Sequence, residues 1–165
     1  MPSRAEAADM PADGAIEAPE RLRRRASRLL SQMSVRSDRL ITDGLARVDA
    51  RKWHYAVLAS LQEYGPGSQA TLSRNTGIYR SDMVGVLNEL AERGDVERTP
   101  DPGDRRRNVI TITEQGRRHL RRLDDVLDDL HEELLAPLLP EERDQFVGML
   151  RRLLDHHTQR TPPAP

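Results

Sequence analysis

After Gly94 the hydrophobic period changes from near 3.6 to 2, and only there. Val96-Glu97-Arg98-Thr99 and Asn108-Val109-Ile110-Thr111-Ile112-Thr113 are β-branched runs flanking Pro100-Asp101-Pro102-Gly103-Asp104 and three arginines. Two such runs around a Pro/Gly/Asp turn predict one β-hairpin, spanning 96–99 and 108–113. The periodic segments before and after it read as helix, between tails at 1–19 and 158–165 that lack periodicity. A sandwich or a doubly wound sheet would need more apolar residues than the 36% present.

The helical pattern begins at Arg21. Leu22, Ala26, Leu29, Leu30, Met33, Leu40, Ile41, Leu45 and Val48 step by three or four and predict one long amphipathic helix. Five arginines between positions 21 and 28 oppose its macrodipole. Either Glu17 and Glu20 offset them or they serve an outside partner. A second helix is predicted from Arg51 to Tyr64, with Tyr55, Val57, Leu58 and Leu61 inward, ended by Gly65-Pro66-Gly67. Ser68 suits the N-cap of a short helix closed by Gly77. The next helix carries the stripe Met83, Val86, Leu87 and Leu90, starts at Ser81 or the Tyr79-Arg80 step, and closes at Gly94. Past the hairpin, Leu120, Leu123, Val126, Leu127, Leu130, Leu134 and Leu135 line a helix from 114 to Pro137. A last helix, 141–157 with Pro140 at its first turn, turns Phe146, Met149, Leu150, Leu153 and Leu154 inward.

Only 36% of the residues are hydrophobic, whereas 32% are charged. That balance fits wide solvated faces or a core completed by dimerisation. Most leucines lie in the first and last two helices, on stripes wider than a small central domain covers. There is no cysteine, which excludes disulfides, Cys-ligated zinc and thiol redox sensing. The five histidines lack the spacing of a tight metal motif, although a regulatory zinc held by His and carboxylates is a reading to weigh. No nucleophile–base arrangement or phosphate-binding loop is visible, so no enzyme and no cofactor is expected. No stretch approaches a membrane span and the N-terminus lacks an apolar leader, so a cytoplasmic protein is expected.

Two short helices with a tight Gly-containing link, followed by a hairpin, describe a winged helix-turn-helix. The helix after Gly77 turns Arg80, Ser81, Asp82, Gly85, Asn88 and Glu89 outward, side chains suited to base edges in a major groove. Gly85 costs about 1 kcal/mol relative to Ala within a helix. Opposite the core stripe, it would let a groove floor come close. Arg105, Arg106 and Arg107 at the hairpin tip suit a narrow minor groove, whose potential attracts arginine. Against these, Arg74, Arg80, Arg93, Arg98 and the wing arginines are cancelled in number by Asp82, Glu89, Glu92, Asp95, Glu97, Asp101 and Asp104. DNA binding must therefore rest on where the acids point; Asp82 would face DNA unless it serves the helix N-terminus or a cytosine. Lys52 is the only lysine among 26 cationic side chains, a bias that a GC-rich genome or selection for phosphate contacts would give. In the helix from 114, Arg117, Arg118, Arg121 and Arg122 precede an acidic second half. That suggests either a DNA side and a far side or internal pairs such as Arg121–Asp125.

The segment 96–116 resembles the wing of the MarR family of bacterial transcriptional regulators. Asp104 and Arg106 match its Asp-x-Arg element, with Thr113 nine residues after Asp104 opening the next helix. The segment 68–98 is similar to the family's reader-helix region, and the resemblance covers about residues 21–157. It implies a mainly α homodimer, a winged helix-turn-helix with long N- and C-terminal dimerisation helices. Reader helices would enter successive major grooves of a pseudo-palindromic operator in double-stranded DNA, and wings the flanking minor grooves. Arg106 would enter the minor groove and Asp104 would orient it. The implied organisation is a disordered tail 1–19, a dimerisation helix 20–50, a DNA-binding domain 51–113, dimerisation helices 114–157 and a tail 158–165. The DNA-binding set is Ser68, Gln69, Arg74, Arg80, Ser81, Asp82, Gly85, Asn88, Asp104, Arg105, Arg106 and Arg107. The resemblance also implies a small phenolic or anionic effector, for which Met33, Arg36, Trp53 and His54 are candidates; Trp53 equally suits the core. Repression is the family's commoner habit. A PadR-like winged-helix regulator and a winged-helix interaction module that does not read DNA are the competing readings. The long first helix and the Asp-x-Arg wing argue against the former, and the arginine wing against the latter.

Overall fold

The computed structural model describes residues 19–104 and 106–160. The expected tail up to Ala18, wing residue Arg105 and the end from 161 lie outside them. By compactness the chain falls into two units, one up to Arg36 and one from Ser37.

The elements run α1 (Glu20–Arg23), α2 (Ala26–Ala46), α3 (Lys52–Tyr64), β1 (Gly67–Ser68), α4 (Gln69–Thr76), α5 (Arg80–Glu92), β2 (Val96–Pro100), β3 (Asn108–Ile112), α6 (Glu114–Leu134) and α7 (Pro140–Arg160). The hairpin is present, with Val96 opposite Ile112 and Pro100 opposite Asn108. The expected long first helix is instead broken after Arg23. There the chain closes with Arg25 N–H on the Leu22 carbonyl and restarts with Leu29 N–H on that of Arg25. Glu20 draws both Arg23, at 2.6 Å, and Arg24, at 2.5 Å, back over this first turn. The carboxylate thus offsets charge that the macrodipole disfavours. At the other end the helix expected to stop at 157 runs on to Arg160, so residues 158–160, expected in the tail, are helical. Thr158, Gln159 and Arg160 contain no breaker; the first is Pro162.

The punctuation of the central segment follows its residues. Ser68 Oγ accepts from Thr71 N–H at 3.2 Å and caps α4. Gly77, at φ 71°, ends α4 in the left-handed conformation that glycine adopts without strain. α5 starts at Arg80 with Tyr79 as its N-cap residue and no side-chain cap; Asp82 lies in its first turn, where a carboxylate favours the macrodipole. Thr113 Oγ1 accepts from Gly116 N–H at 3.0 Å and caps α6. β1 is unexpected: Gly67 and Ser68 pair antiparallel with Ile110 and Val109, so the sheet has the order β1-β3-β2. Two residues are too short to show a period, and the Gly65-Pro66-Gly67 loop masked them.

The core gathers Leu45 from α2, Val57, Leu58 and Leu61 from α3, Leu72 from α4 and Ile78 after it. Met83, Val86, Leu87 and Leu90 of α5, Val96, Ile110 and Ile112 of the sheet, and Leu120, Leu123, Leu127 and Leu130 of α6 complete it. α6 therefore belongs to the same core as the helices that precede the wing. It approaches closely at two glycines. A Cβ on Gly116 would lie 2.1 Å from the Asp95 carbonyl oxygen, and one on Gly44 would lie 2.4 Å from a Leu130 methyl. The stripes expected inward at the two ends are otherwise: Leu22, Leu29, Leu30, Met33 and Val48 near the start, and Met149, Leu153 and Leu154 on α7, are exposed within one chain. No helix among the described residues is long and apolar enough to cross a membrane.

Candidate nucleic-acid interface

The wing tip is built by its aspartates. Asp101 Oδ1 accepts from Gly103 N–H at 2.8 Å, and Asp104 Oδ1 accepts from Arg106 N–H at 3.1 Å. Both are Asx turns, the local bond that makes Asp favourable in tight loops. Across the base of the tip, Asp101 N–H donates to the Arg107 carbonyl at 2.9 Å. The second Asp104 oxygen stands 3.4 Å from Arg107 Nε. Asp104 thus fixes Arg106 through the backbone, while the guanidinium it pairs with is that of Arg107. Arg106 and Arg107 are exposed.

Behind the tip, β3, the start of α4 and the start of α5 enclose a cleft of about 630 Å³. Ser68, Gln69, Arg74, Arg80, Arg106 and Arg107, all expected from sequence, line it together. Gln69 Nε2 donates to the Arg80 carbonyl at 3.3 Å and ties α4 to the N-terminus of α5. Ser81, Gly85 and Asn88 lie exposed on α5, and a Cβ on Gly85 would meet nothing within 4 Å. Asp82 is half-buried. The lining residues missed were Ala70, Thr71, Arg98, Asn108 and Ile110. A signal existed for Arg98. Strand alternation puts it on the face of β2 that carries buried Val96, hence toward α5.

The acids that cancelled the arginines in number are placed elsewhere. Among the described residues no carboxylate lines the cleft. Besides the wing aspartates, Asp95 is buried and bonded to His119 Nδ1 at 2.6 Å. Glu89 bonds Arg51 and, at 2.8 Å, His54 Nε2. The surface is basic by position although neutral by count, which is what phosphate neutralisation requires.

The other candidates lie on α2 and α3. Met33 and Arg36 are exposed on α2, and Trp53 is 41% exposed on α3. His54 is buried, with both ring nitrogens engaged: Nδ1 accepts from Arg51 N–H at 3.2 Å, so Nε2–H donates to Glu89. Burial holds its pKa below 6.5, against the opposing pull of Glu89. Glu89 in turn lies below the usual carboxylate range, chiefly through its bond to His54. The half of α6 next to the wing exposes Arg118, Arg121 and Arg122. Arg117 pairs with Glu114 at 3.4 Å and also bonds Gln62; no Arg121–Asp125 pair is found among the described residues. Nor does any group of three or more His, Asp or Glu side chains among them come together to hold a metal.

Comparison with known proteins converges on one family. The MarR family model matches residues 53–107. Over 101 residues the chain is 31% identical to the HTH-type transcriptional repressor NicR of Pseudomonas putida, an alignment covering 61% of this chain and 64% of the repressor. A probable transcriptional regulator from Pseudomonas aeruginosa superposes with a TM-score of 0.69 and 30% identity, covering 80% of this chain and 98% of that one. A mutant MarR from E. coli, solved in complex with operator DNA, superposes with a TM-score of 0.66 and 25% identity, covering 78% and 92%. With this helix order, this wing and these relatives, the chain belongs to the MarR family of transcriptional regulators, built around a DNA-binding winged helix.

Proposed function

We propose that the protein is a homodimeric repressor that binds a pseudo-palindromic operator and is released by a small phenolic or anionic effector. The observation that carries the DNA-binding part is the cleft in which Arg74, Arg80, Arg98, Arg106 and Arg107 meet, with no carboxylate among the described residues that line it. In this reading α5 enters the major groove by its face Arg80, Ser81, Gly85 and Asn88. Asp82 assists its N-terminus, and the wing arginines, Arg105 included, reach the minor groove. Dimerisation is supported by the apolar side chains left exposed on α2 and on α7, which a second copy would cover. Repression is supported by the likeness to the Pseudomonas putida relative, a transcriptional repressor.

Selection of bound duplexes from a random library tests the reading. A two-fold-symmetric site, bound by a species of twice the chain mass in light scattering, is the expected result. Failure to enrich any site would overturn it in favour of an interaction module. Trp53, the single tryptophan and partly exposed, reports on the effector. Its fluorescence is expected to change with saturation on titration with a small phenolic acid such as salicylate, and the same acid is expected to release the selected duplex.

A further inference from the structure

Arg98 reaches from β2 across to α5, where its Nη2 donates to Asn88 Oδ1 at 2.7 Å. Both side chains are exposed. A guanidinium has donors only, so the edge of the amide that faces it must be the oxygen. The orientation of Asn88 is therefore chemically dictated. Its Nδ2, with two donor hydrogens, becomes the outward edge, and among the described residues it has no hydrogen-bond partner. An unconstrained Asn reads adenine with both edges at once, its oxygen accepting from N6 and its nitrogen donating to N7. Asn88 has its oxygen turned to the wing strand and bonded there, which leaves Nδ2 as the edge it offers outward.

We propose that Arg98 is a positioning residue that makes Asn88 a donor-only reader, so that this position of α5 selects guanine, with its O6 and N7 acceptors, over adenine. The proposal rests on the DNA-binding reading above and adds a base preference to it. It also makes the wing and the reader helix one recognition unit, because the strand that carries the wing arginines sets the polarity of a side chain on α5.

Selection from a random duplex library with the full-length protein and its variants tests it. Wild type is expected to enrich guanine over adenine at one symmetry-related position per half-site, by on the order of tenfold. Asn88→Ala should lose the preference at that position alone. Arg98→Ala, which frees the amide, should move the same position toward adenine and leave the others unchanged, with overall binding weaker. Arg98→Lys keeps a donor opposite Oδ1 and should retain guanine; the shift toward adenine in Arg98→Ala is the result that a purely structural or purely phosphate-binding role for Arg98 would not predict. Adenine at the Asn88-dependent position in wild type, or the same guanine preference in Arg98→Ala, overturns the proposal while leaving the DNA-binding reading intact. If wild type enriches no site at all, the underlying reading itself fails. Both side chains are exposed, and unchanged melting temperatures show that the variants fold.

Discussion

Arg106 shows how little of a residue's role is carried by its charge alone. Its backbone N–H is held by Asp104 Oδ1, and its side chain projects from a tip whose other contacts are internal to the turn. Arg106→Ala therefore removes an exposed group without touching a packed one. It is expected to weaken operator binding at least tenfold, to leave the dimer and the melting temperature unchanged, and to be read by gel-shift titration alongside light scattering. Gly85 separates stability from function in the opposite way. Because a Cβ there meets nothing, Gly85→Ala should raise the melting temperature, by about 1 kcal/mol of helix propensity, and yet weaken duplex binding several-fold by holding the groove floor away. Unchanged binding would show that α5 does not approach DNA at this point. Gly116 is the contrasting case. A methyl 2.1 Å from the Asp95 carbonyl must displace backbone, so Gly116→Ala is expected to cost about 1–3 kcal/mol in denaturant unfolding.

At the scale of elements, α3 and α5 are joined by a titrating contact. His54 caps the start of α3 through Nδ1 and donates through Nε2 to Glu89 on α5. In the fold burial keeps His54 neutral to a lower pH than in the unfolded chain, where it protonates near 6.5. The unfolded chain thus binds the proton first as pH falls, and stability, full above about 6.5, declines below it. Glu89, held below the ordinary 4.5, extends the decline further into the acid range. The melting temperature is expected to be level from pH 8 to 7 and to fall from 7 to 5; a rise over that interval would contradict this assignment. The elements themselves were largely legible. Ser68, Gly77, Gly94 and Thr113 punctuate helices in the sequence as they do in the structure, and the change of period at Gly94 marks the hairpin. What was not legible depends on tertiary neighbours. β1 is two residues long, and the break at Arg24-Arg25 is local bonding to Glu20. The engagement of His54 with a glutamate 35 positions away leaves no periodic trace.

At the scale of the whole molecule, composition was misleading and placement decided the outcome. A net charge of −1 is the sum of a cleft lined by arginines, an α6 with exposed arginines in its first half and acids such as Asp128, Asp129, Glu132 and Glu133 exposed in its second, and acids bonded within the fold. The inward stripes read from the sequence in α2 and α7 were real stripes, but one copy does not bury them. Light scattering is expected to give a dimer. Leu153→Glu together with Leu154→Glu on α7, both exposed, should shift it toward monomer and lower duplex affinity with it. A wild-type protein that is monomeric at micromolar concentration would contradict the dimer.

In the proposed function the arginine cleft neutralises DNA phosphates, and titration of duplex binding against salt measures that contribution. Each phosphate neutralised adds about −0.9 to the slope of log K against log salt. With five arginines in each cleft, a slope steeper than about −4 is predicted for the dimer, made shallower by about 1 or more in Arg74→Ala. A flat dependence, or one unaltered by that substitution, would contradict the account.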